Sequence, residues 1–253
     1  MRNKRGQVAL FVIIAIVIVG SLIALYAVRT APTAEISVEE NPRPFMERCV
    51  KEIIEENIEI MLHQGGYIDP ENYHAYEGDK VAYLCYNEEL HKTCVNQEPL
   101  FIDHLGNEIE DYSKGGVVGC FLLLEEEYRK RNYGVQGEDA RFGVELTDNK
   151  VRVLMSKPLT VSKGEGVQSY EDFSFDIISN LYNLGRVAMD ITKQESKSCE
   201  FNYVSYMALH PDIKITKHNI GSELSIYEIE DRDSGEKLNI GVRSCAYELP
   251  NFG

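Results

Sequence analysis

The residues in this chain best suited to chemistry are its six cysteines, its loop carboxylates and a cluster of tyrosines. The cysteines and histidines show none of the CxxC, HxxxH or HExxH spacings that are typical of zinc sites. The sequence also lacks the GxSxG, Walker and GxGxxG motifs, which mark nucleophile elbows and phosphate-binding loops. These absences favour a protein without catalytic residues, metal ligands or a cofactor.

Two groups of carboxylates could still hold a divalent cation. Asp69, Glu71 and His74 lie close together in sequence. The segment that begins at Asp231 resembles the start of a calcium loop, but Asn239 stands where an acidic ligand would be needed. Such residues are common in turns, so we interpret the first group as a solvated loop and the second as a hairpin turn.

The cysteines all follow the long apolar segment near the N-terminus. An even number of cysteines in an exported domain indicates disulfide bonds, here three, although six cysteines allow fifteen connectivities. If the domain instead faces the cytoplasm, six reduced and buried thiols are the better interpretation. The disulfide candidates are Cys49, Cys85, Cys94, Cys120, Cys199 and Cys245.

The positions of the cysteines favour one set of pairs. Cys85 and Cys94 are separated by a short polar loop. Cys199 and Cys245 lie at the edges of predicted elements in the C-terminal half. The remaining pair, Cys49–Cys120, would then join the first two helices of the domain.

Tyrosines are concentrated between residues 67 and 112. A tyrosine ring offers apolar area and a polar tip, so a cluster in a loop-rich segment can form a recognition surface for protein or sugar. The alternative is a small core made by the same rings. The candidate recognition residues are Tyr67, Tyr73, Tyr76, Tyr83 and Tyr86.

The charge of the chain limits its partners. The net charge is −15, and residues 1–29 hold four of the 26 basic residues and no acid. The rest of the chain is therefore strongly acidic and would repel nucleic acid. It favours solubility, cations or basic partners.

Residues 8–28 form an uncharged apolar run that would span about 30 Å as a helix, the thickness of a bilayer core. Arg2, Lys4 and Arg5 precede this run, and the positive-inside rule places them in the cytoplasm. A cleaved secretory signal is the alternative, but its apolar region is usually shorter and ends in a clear cleavage site.

The predicted layout therefore has four parts. Residues 1–7 are a basic cytoplasmic N-terminus, 8–28 a transmembrane helix and 29–43 a linker. Residues 44–253 form a domain outside the cell membrane of a single-pass protein. The expected partners are the lipid bilayer and other envelope proteins or a second copy of the chain, and no nucleic acid.

The sequence Lys4-Arg5-Gly6-Gln7 followed directly by the apolar run resembles the class III, type IV pilin-like signal of archaeal surface proteins. The resemblance implies cleavage by a prepilin-type peptidase between Gly6 and Gln7. Many archaeal pilins carry a glutamate five residues into the mature chain, where this sequence has Phe11. The whole chain also resembles archaeal single-pass membrane proteins of uncharacterised function.

Apolar periodicity predicts helices over residues 44–64, 114–132 and 177–197, with Gly65 and Gly66 ending the first. Residues 67–114 lack clear periodicity and are expected to be largely irregular. Alternating residues around Asp148-Asn149 predict a hairpin, and 213–216, 224–230 and 237–245 predict further strands. Without a repeated βαβ unit, the fold class is α+β with an antiparallel sheet of hairpins.

The favoured function is that of a membrane-anchored extracytoplasmic protein with a structural or partner-binding role. Two alternatives stay open. One is a pilin-like subunit of a surface filament, processed between Gly6 and Gln7. The other is an envelope enzyme of unknown type.

Overall fold

A computed structural model of the chain describes residues 41–89, 92–137 and 139–245. No helix within these ranges is long and apolar enough to cross a membrane. The predicted span at residues 8–28, the basic segment 1–7 and the predicted processing site at Gly6 and Gln7 lie outside them.

Four α-helices occur in the described part of the chain. They are α1 (Arg43–His63), α2 (Phe101–Lys130), α3 (Leu181–Ser198) and α4 (Tyr203–Leu209). α1 forms as predicted: Pro42 precedes it, and Gly65 and Gly66 end it at positive φ angles of 75° and 86°. Glycine adopts this left-handed conformation without the penalty of a side chain.

The predicted start of the second helix is wrong. α2 begins at Phe101 rather than near residue 114, and its apolar stripe runs through Leu105 and Ile109 into the predicted part. Gly106 and Asn107 weaken the helical pattern in this segment, since both residues have low helix propensity. Burial of the stripe outweighs that preference.

The third helix is displaced in the same way. α3 begins at Leu181, whereas Ile177 belongs to the preceding strand. Ile177 is buried and lies four residues before Leu181, so it extends the apolar i, i+4 pattern of the helix although it belongs to a strand.

Ten strands in the described part of the chain form two sheets. The strands are β1 (Tyr73–Tyr76), β2 (Asp79–Tyr86), β3 (Val95–Asn96), β4 (Gly134–Gly137), β5 (Arg141–Thr147), β6 (Lys150–Lys163), β7 (Gly166–Ile178), β8 (Ile213–Ile220), β9 (Leu224–Asp231) and β10 (Lys237–Arg243). The order in the six-stranded sheet is β1-β2-β10-β9-β8, and β3 pairs with β2. In the four-stranded sheet, β6 pairs with β7 on one edge and with β4 and β5 on the other.

The α+β class is confirmed, but the sheets are not wholly antiparallel. β10 pairs with β2 in parallel, with Val242 opposite Cys85. Hairpins account for the pairs β5–β6, β6–β7, β8–β9 and β9–β10. The short segment Gly134–Gly137 forms the strand β4.

The three long helices, α1, α2 and α3, share one core with both sheets. α1 and α3 contact strands of both sheets, and α2 packs on α1, α3 and β5. Val117, Phe121, Leu124 and Tyr128 of α2 are buried, as the predicted stripe requires.

The expected disulfide bonds are present. Cys49–Cys120 joins α1 to α2, with 6.0 Å between the Cα atoms. Cys85–Cys94 closes the loop after β2, and Cys199–Cys245 joins the end of α3 to the residue beyond β10. These are the three pairs that the sequence favours.

Candidate functional site

An acidic groove lined with tyrosines lies where the loop after α1 meets β2 and the first turns of α2. We call it the tyrosine groove and define it by Tyr67, Tyr83 and Tyr112 with Asp69, Glu71, Glu98 and Glu108. Its volume is about 400 Å³. That volume lies within the usual range for pockets that bind small molecules or side chains.

Tyr67 is held in place at the centre of the groove. Its hydroxyl donates a hydrogen bond to Glu98 Oε1 at 2.6 Å, and its ring centroid lies 4.2 Å from that of His104. His104 Nε2 in turn lies 3.0 Å from the carbonyl oxygen of Gly66. Glu98 and His104 therefore fix the position of the Tyr67 ring.

The loop backbone is tied to α2 by a second carboxylate. The amide N–H of Ile68 donates to Glu108 Oε1 at 2.8 Å. Glu98 and Glu108 thus each use one oxygen for the structure of the groove. Each carboxylate also has a second oxygen that can accept a hydrogen bond.

Burial raises the pKa of Tyr67, and the hydrogen bond and negative charge of Glu98 raise it further, with a smaller effect from Glu108. The tyrosine therefore stays protonated and continues to donate to Glu98 throughout the physiological pH range.

The electrostatic balance of the groove is negative. Four carboxylates line it, and the described lining residues include no lysine, arginine or histidine. Lys80, outside the groove, forms an ion pair with Asp69 at 2.8 Å, but both side chains are exposed to solvent, which weakens the pairing. A positively charged group is the natural complement of such a surface.

The predicted tyrosines divide between surface and core. Tyr67 and Tyr83 line the groove, and the exposed ring of Tyr73 lies beside it under the ammonium of Lys80, 5.3 Å away. Tyr76 packs on the buried cluster of Val81, Leu224 and Ile226. The core interpretation therefore applies to Tyr76, whereas recognition by Tyr67 and Tyr83 stays a prediction.

Tyr86 is used differently again. Its hydroxyl accepts a hydrogen bond from Arg243 Nη1 at 3.2 Å, so it joins β2 to β10. Its ring lies 5.2 Å from that of Tyr83. Tyr86 thus contacts the groove indirectly, through the ring of Tyr83.

The two carboxylate groups considered from sequence do not form cation sites among the described residues, where no cluster of three or more metal-binding side chains occurs. Asp69 instead binds Lys80. Asp231 Oδ1 accepts hydrogen bonds from the backbone N–H groups of Asp233 and Ser234 and from the Ser234 hydroxyl. These bonds explain the hairpin turn before β10.

Sequence reasoning missed three residues of the groove, namely Glu98, Glu108 and Tyr112. Glu108 and Tyr112 are four residues apart on α2 and so lie on one helical face. A helix predicted from residue 101 would have revealed this pair. Tyr112 is 49% exposed, so its ring is available at the edge of the groove.

A second group of polar residues was also missed. Glu195 on α3, Lys217 on β8 and Tyr227 on β9 meet in the interior near the Cys199–Cys245 disulfide. They are far apart in sequence, and nothing in their local patterns connects them.

No protein-family model matches the chain, and no curated protein matches it significantly.

Proposed function

We propose that this chain is a membrane-anchored extracytoplasmic binding protein that recognises a basic segment of another envelope protein through the tyrosine groove. The observation that carries the proposal is the combination of Tyr67, Tyr83 and Tyr112 with four carboxylates and no basic residue among the described lining residues.

The chemistry of the groove favours a lysine or arginine side chain. Tyrosine faces attract cations through the quadrupole of the ring, which contributes about 0.5–2 kcal/mol for each contact. Carboxylates add charge-assisted hydrogen bonds to ammonium or guanidinium groups. Because Tyr67 is fixed by Glu98 and His104, little side-chain entropy is lost when the ligand binds.

The membrane anchor is the second part of the proposal. It rests on the uncharged run at residues 8–28 and the basic residues that precede it. The disulfide bonds support an oxidising compartment for the domain, because such bonds are rare in reducing cytoplasm. A tethered domain would meet its partner at the membrane surface.

The binding test uses the full chain in detergent and a fluorescent oligolysine peptide as the probe, with an oligoglutamate peptide as the negative control. We expect oligolysine to bind and its affinity to fall as salt is added, since the attraction is electrostatic. Absence of oligolysine binding at low salt would contradict the proposal.

A charge-matched pair of variants separates the groove from general attraction to an acidic protein. E71Q/E98Q/E108Q removes three charges from the groove, while glutamine retains an oxygen that accepts the bonds from Tyr67 and Ile68. The control E52Q/E56Q/E59Q removes three charges from exposed positions of α1.

The groove variant should weaken oligolysine binding by about tenfold or more, and the control by about threefold or less. Equal weakening by both variants would show that the peptide binds the acidic surface in general, and the proposed site would be wrong.

A further inference from the structure

A second pocket, separate from the tyrosine groove, lies beside the Cys199–Cys245 disulfide. The C-terminal end of α3, the hairpin between β8 and β9, and the end of β10 form its walls. Its volume is about 560 Å³. We call it the disulfide pocket.

The most buried polar group that lines this pocket is the carboxylate of Glu195, whose side chain is 1% exposed. Glu195 Oε1 accepts a hydrogen bond from the Tyr227 hydroxyl and lies 3.3 Å from Lys217 Nζ. The Lys217 side chain also lines the pocket and is 17% exposed. Both bonds fall on the same oxygen, Oε1.

Ser244 supplies an independent sign of a ligand. It lines the pocket and is only 9% exposed, and its hydroxyl has no hydrogen-bond partner within the described ranges. A buried hydroxyl without a partner is unfavourable, and such groups are rare in folded proteins. Rotation about one bond moves the oxygen between staggered positions, so a bound molecule could supply the missing partner.

The charges around the pocket favour an uncharged ligand. Glu195 is paired with Lys217, and Glu223 accepts from Arg243 Nη2 at 3.3 Å. A cationic ligand would meet the ammonium of Lys217, which already occupies the carboxylate. An anionic ligand would face Glu195, Glu223 and the exposed Glu200.

The remaining polar groups both donate and accept hydrogen bonds. Asn219, Ser222, Ser225 and Ser244 line the pocket with amide and hydroxyl groups. Ser225 Oγ donates to Asn219 Oδ1 at 3.0 Å, which leaves the Asn219 amide as a donor and the Ser225 oxygen as an acceptor. Vicinal hydroxyls of a sugar both donate and accept, so they match a site that combines a carboxylate, an ammonium and several hydroxyls. We propose that the disulfide pocket binds a neutral saccharide unit, with Glu195, Lys217 and Ser244 as its polar contacts.

The size of the pocket agrees with this ligand class, since about 560 Å³ accommodates one or two sugar rings with water. Leu224 and Val242 provide apolar wall for the carbon skeleton. The site shares no lining residue with the tyrosine groove, so it would add a second recognition function to the same domain.

The test is saturation-transfer difference NMR on the full chain in a detergent without a sugar headgroup. The probes are glucose, galactose, mannose and N-acetylglucosamine, with ethanolamine as a cationic comparison. We expect at least one sugar to receive saturation, with a Kd on the order of millimolar, which is typical of a small polar ligand.

Two buried serines provide the matched variants. S244A removes the unpartnered hydroxyl, so it should weaken sugar binding about fivefold to tenfold and leave the melting temperature unchanged or higher. S113A is the control, because buried Ser113 accepts a hydrogen bond from Asn57 Nδ2 at 2.8 Å. S113A should lower the melting temperature and leave sugar binding unchanged.

Three results would overturn the proposal. The first is the absence of saturation transfer to all four sugars. If ethanolamine alone receives saturation, the pocket binds an amine instead. The second is unchanged sugar affinity in S244A. The third is a melting temperature of S244A as low as that of S113A, which would show that the Ser244 hydroxyl already has a partner within the protein.

Discussion

At the scale of single residues, the contact between Glu195 and Tyr227 should be sensitive to substitution, because both side chains are buried. A buried carboxylate is tolerated only where donors satisfy it, and Tyr227 and Lys217 are those donors. The same contact joins α3 to the six-stranded sheet. The loss of one hydroxyl should therefore affect the stability of the whole domain.

We predict that Y227F lowers the free energy of unfolding by about 2–3 kcal/mol, the usual cost when a buried charged group loses a hydrogen bond. Urea unfolding followed by circular dichroism measures this value. Y73F is the matched control, because the Tyr73 ring is 41% exposed, and it should change the free energy by less than about 0.5 kcal/mol. Equal effects of the two variants would contradict the argument.

The titration of Tyr227 provides a second prediction, which concerns the pH dependence of stability. Burial and the neighbouring Glu195 raise the pKa of Tyr227 above its ordinary value of 10.0. Its stabilising contribution is therefore fully present below pH 10 and is lost as the pH rises toward the pKa of the folded state. In that range the wild type should lose up to about 1.4 kcal/mol per pH unit through this group.

Y227F should lack that dependence and show a shallower decline in unfolding free energy above pH 10. Urea titrations at several alkaline pH values compare the two slopes. If the slopes are identical, Tyr227 titrates in the folded state as it does in the unfolded chain, and the predicted linkage is wrong.

At the scale of elements, α2 contains four glycines, and the last three of them have contrasting surroundings. A Cβ atom added at Gly115 or Gly119 would meet nothing within 4 Å. A Cβ atom at Gly116 would lie 2.8 Å from Ile53 Cδ1 and 3.3 Å from Ile53 Cγ2, on the facing surface of α1. Close packing of the two helices therefore requires glycine at only one of these positions.

We predict that G115A and G119A each raise the free energy of unfolding by about 0.5–1 kcal/mol, since alanine restricts the unfolded chain and favours helix. G116A should lower it by about 1 kcal/mol, because the new methyl group displaces Ile53. Urea unfolding of the three single variants provides the measurement. A gain for G116A equal to that for G115A would show that α1 adjusts without cost.

The strength of the local apolar pattern explains how far the elements could be predicted. Strong periodicity predicts α1, the β5–β6 hairpin and the final strands, because each buries one clear face. Gly106 and Asn107 weaken the helical pattern at the start of α2, so the sequence predicts irregular structure there. That part of the chain is helical because its apolar stripe, which starts at Phe101, is buried against the rest of the core.

The tyrosine groove was partly predictable for a related reason. Tyr67 and Tyr83 belong to a local cluster that is visible in sequence, whereas Glu108 and Tyr112 join it only through the unpredicted start of α2. The parallel pairing of β2 with β10 could not be predicted from the sequence either. It joins segments far apart in the chain and has no turn signal between them.

At the scale of the whole molecule, the charges and the cysteines favour the same orientation. The basic residues at positions 2, 4 and 5 favour a cytoplasmic N-terminus, and the disulfides favour an exported domain. Protein exported to an oxidising compartment should therefore show no free thiols before reduction and six after it. Alkylation followed by mass measurement tests this, and six free thiols in native material would contradict the export hypothesis.

A fusion of alkaline phosphatase to the C-terminus tests the orientation itself, because that enzyme becomes active only after export and oxidation. We predict an active fusion for the wild type and a several-fold loss of activity for R2E/K4E/R5E, since the positive-inside rule depends on those charges. S196A, a neutral change at a half-buried position of α3, should leave the activity unchanged.

Sequencing the N-terminus of the same native protein shows whether residues 1–6 are retained or removed. A start at Met1 would support a retained anchor and exclude pilin-like processing. A start at Gln7 would show that the three basic residues are cleaved off after insertion. They would then direct the orientation without remaining in the mature protein.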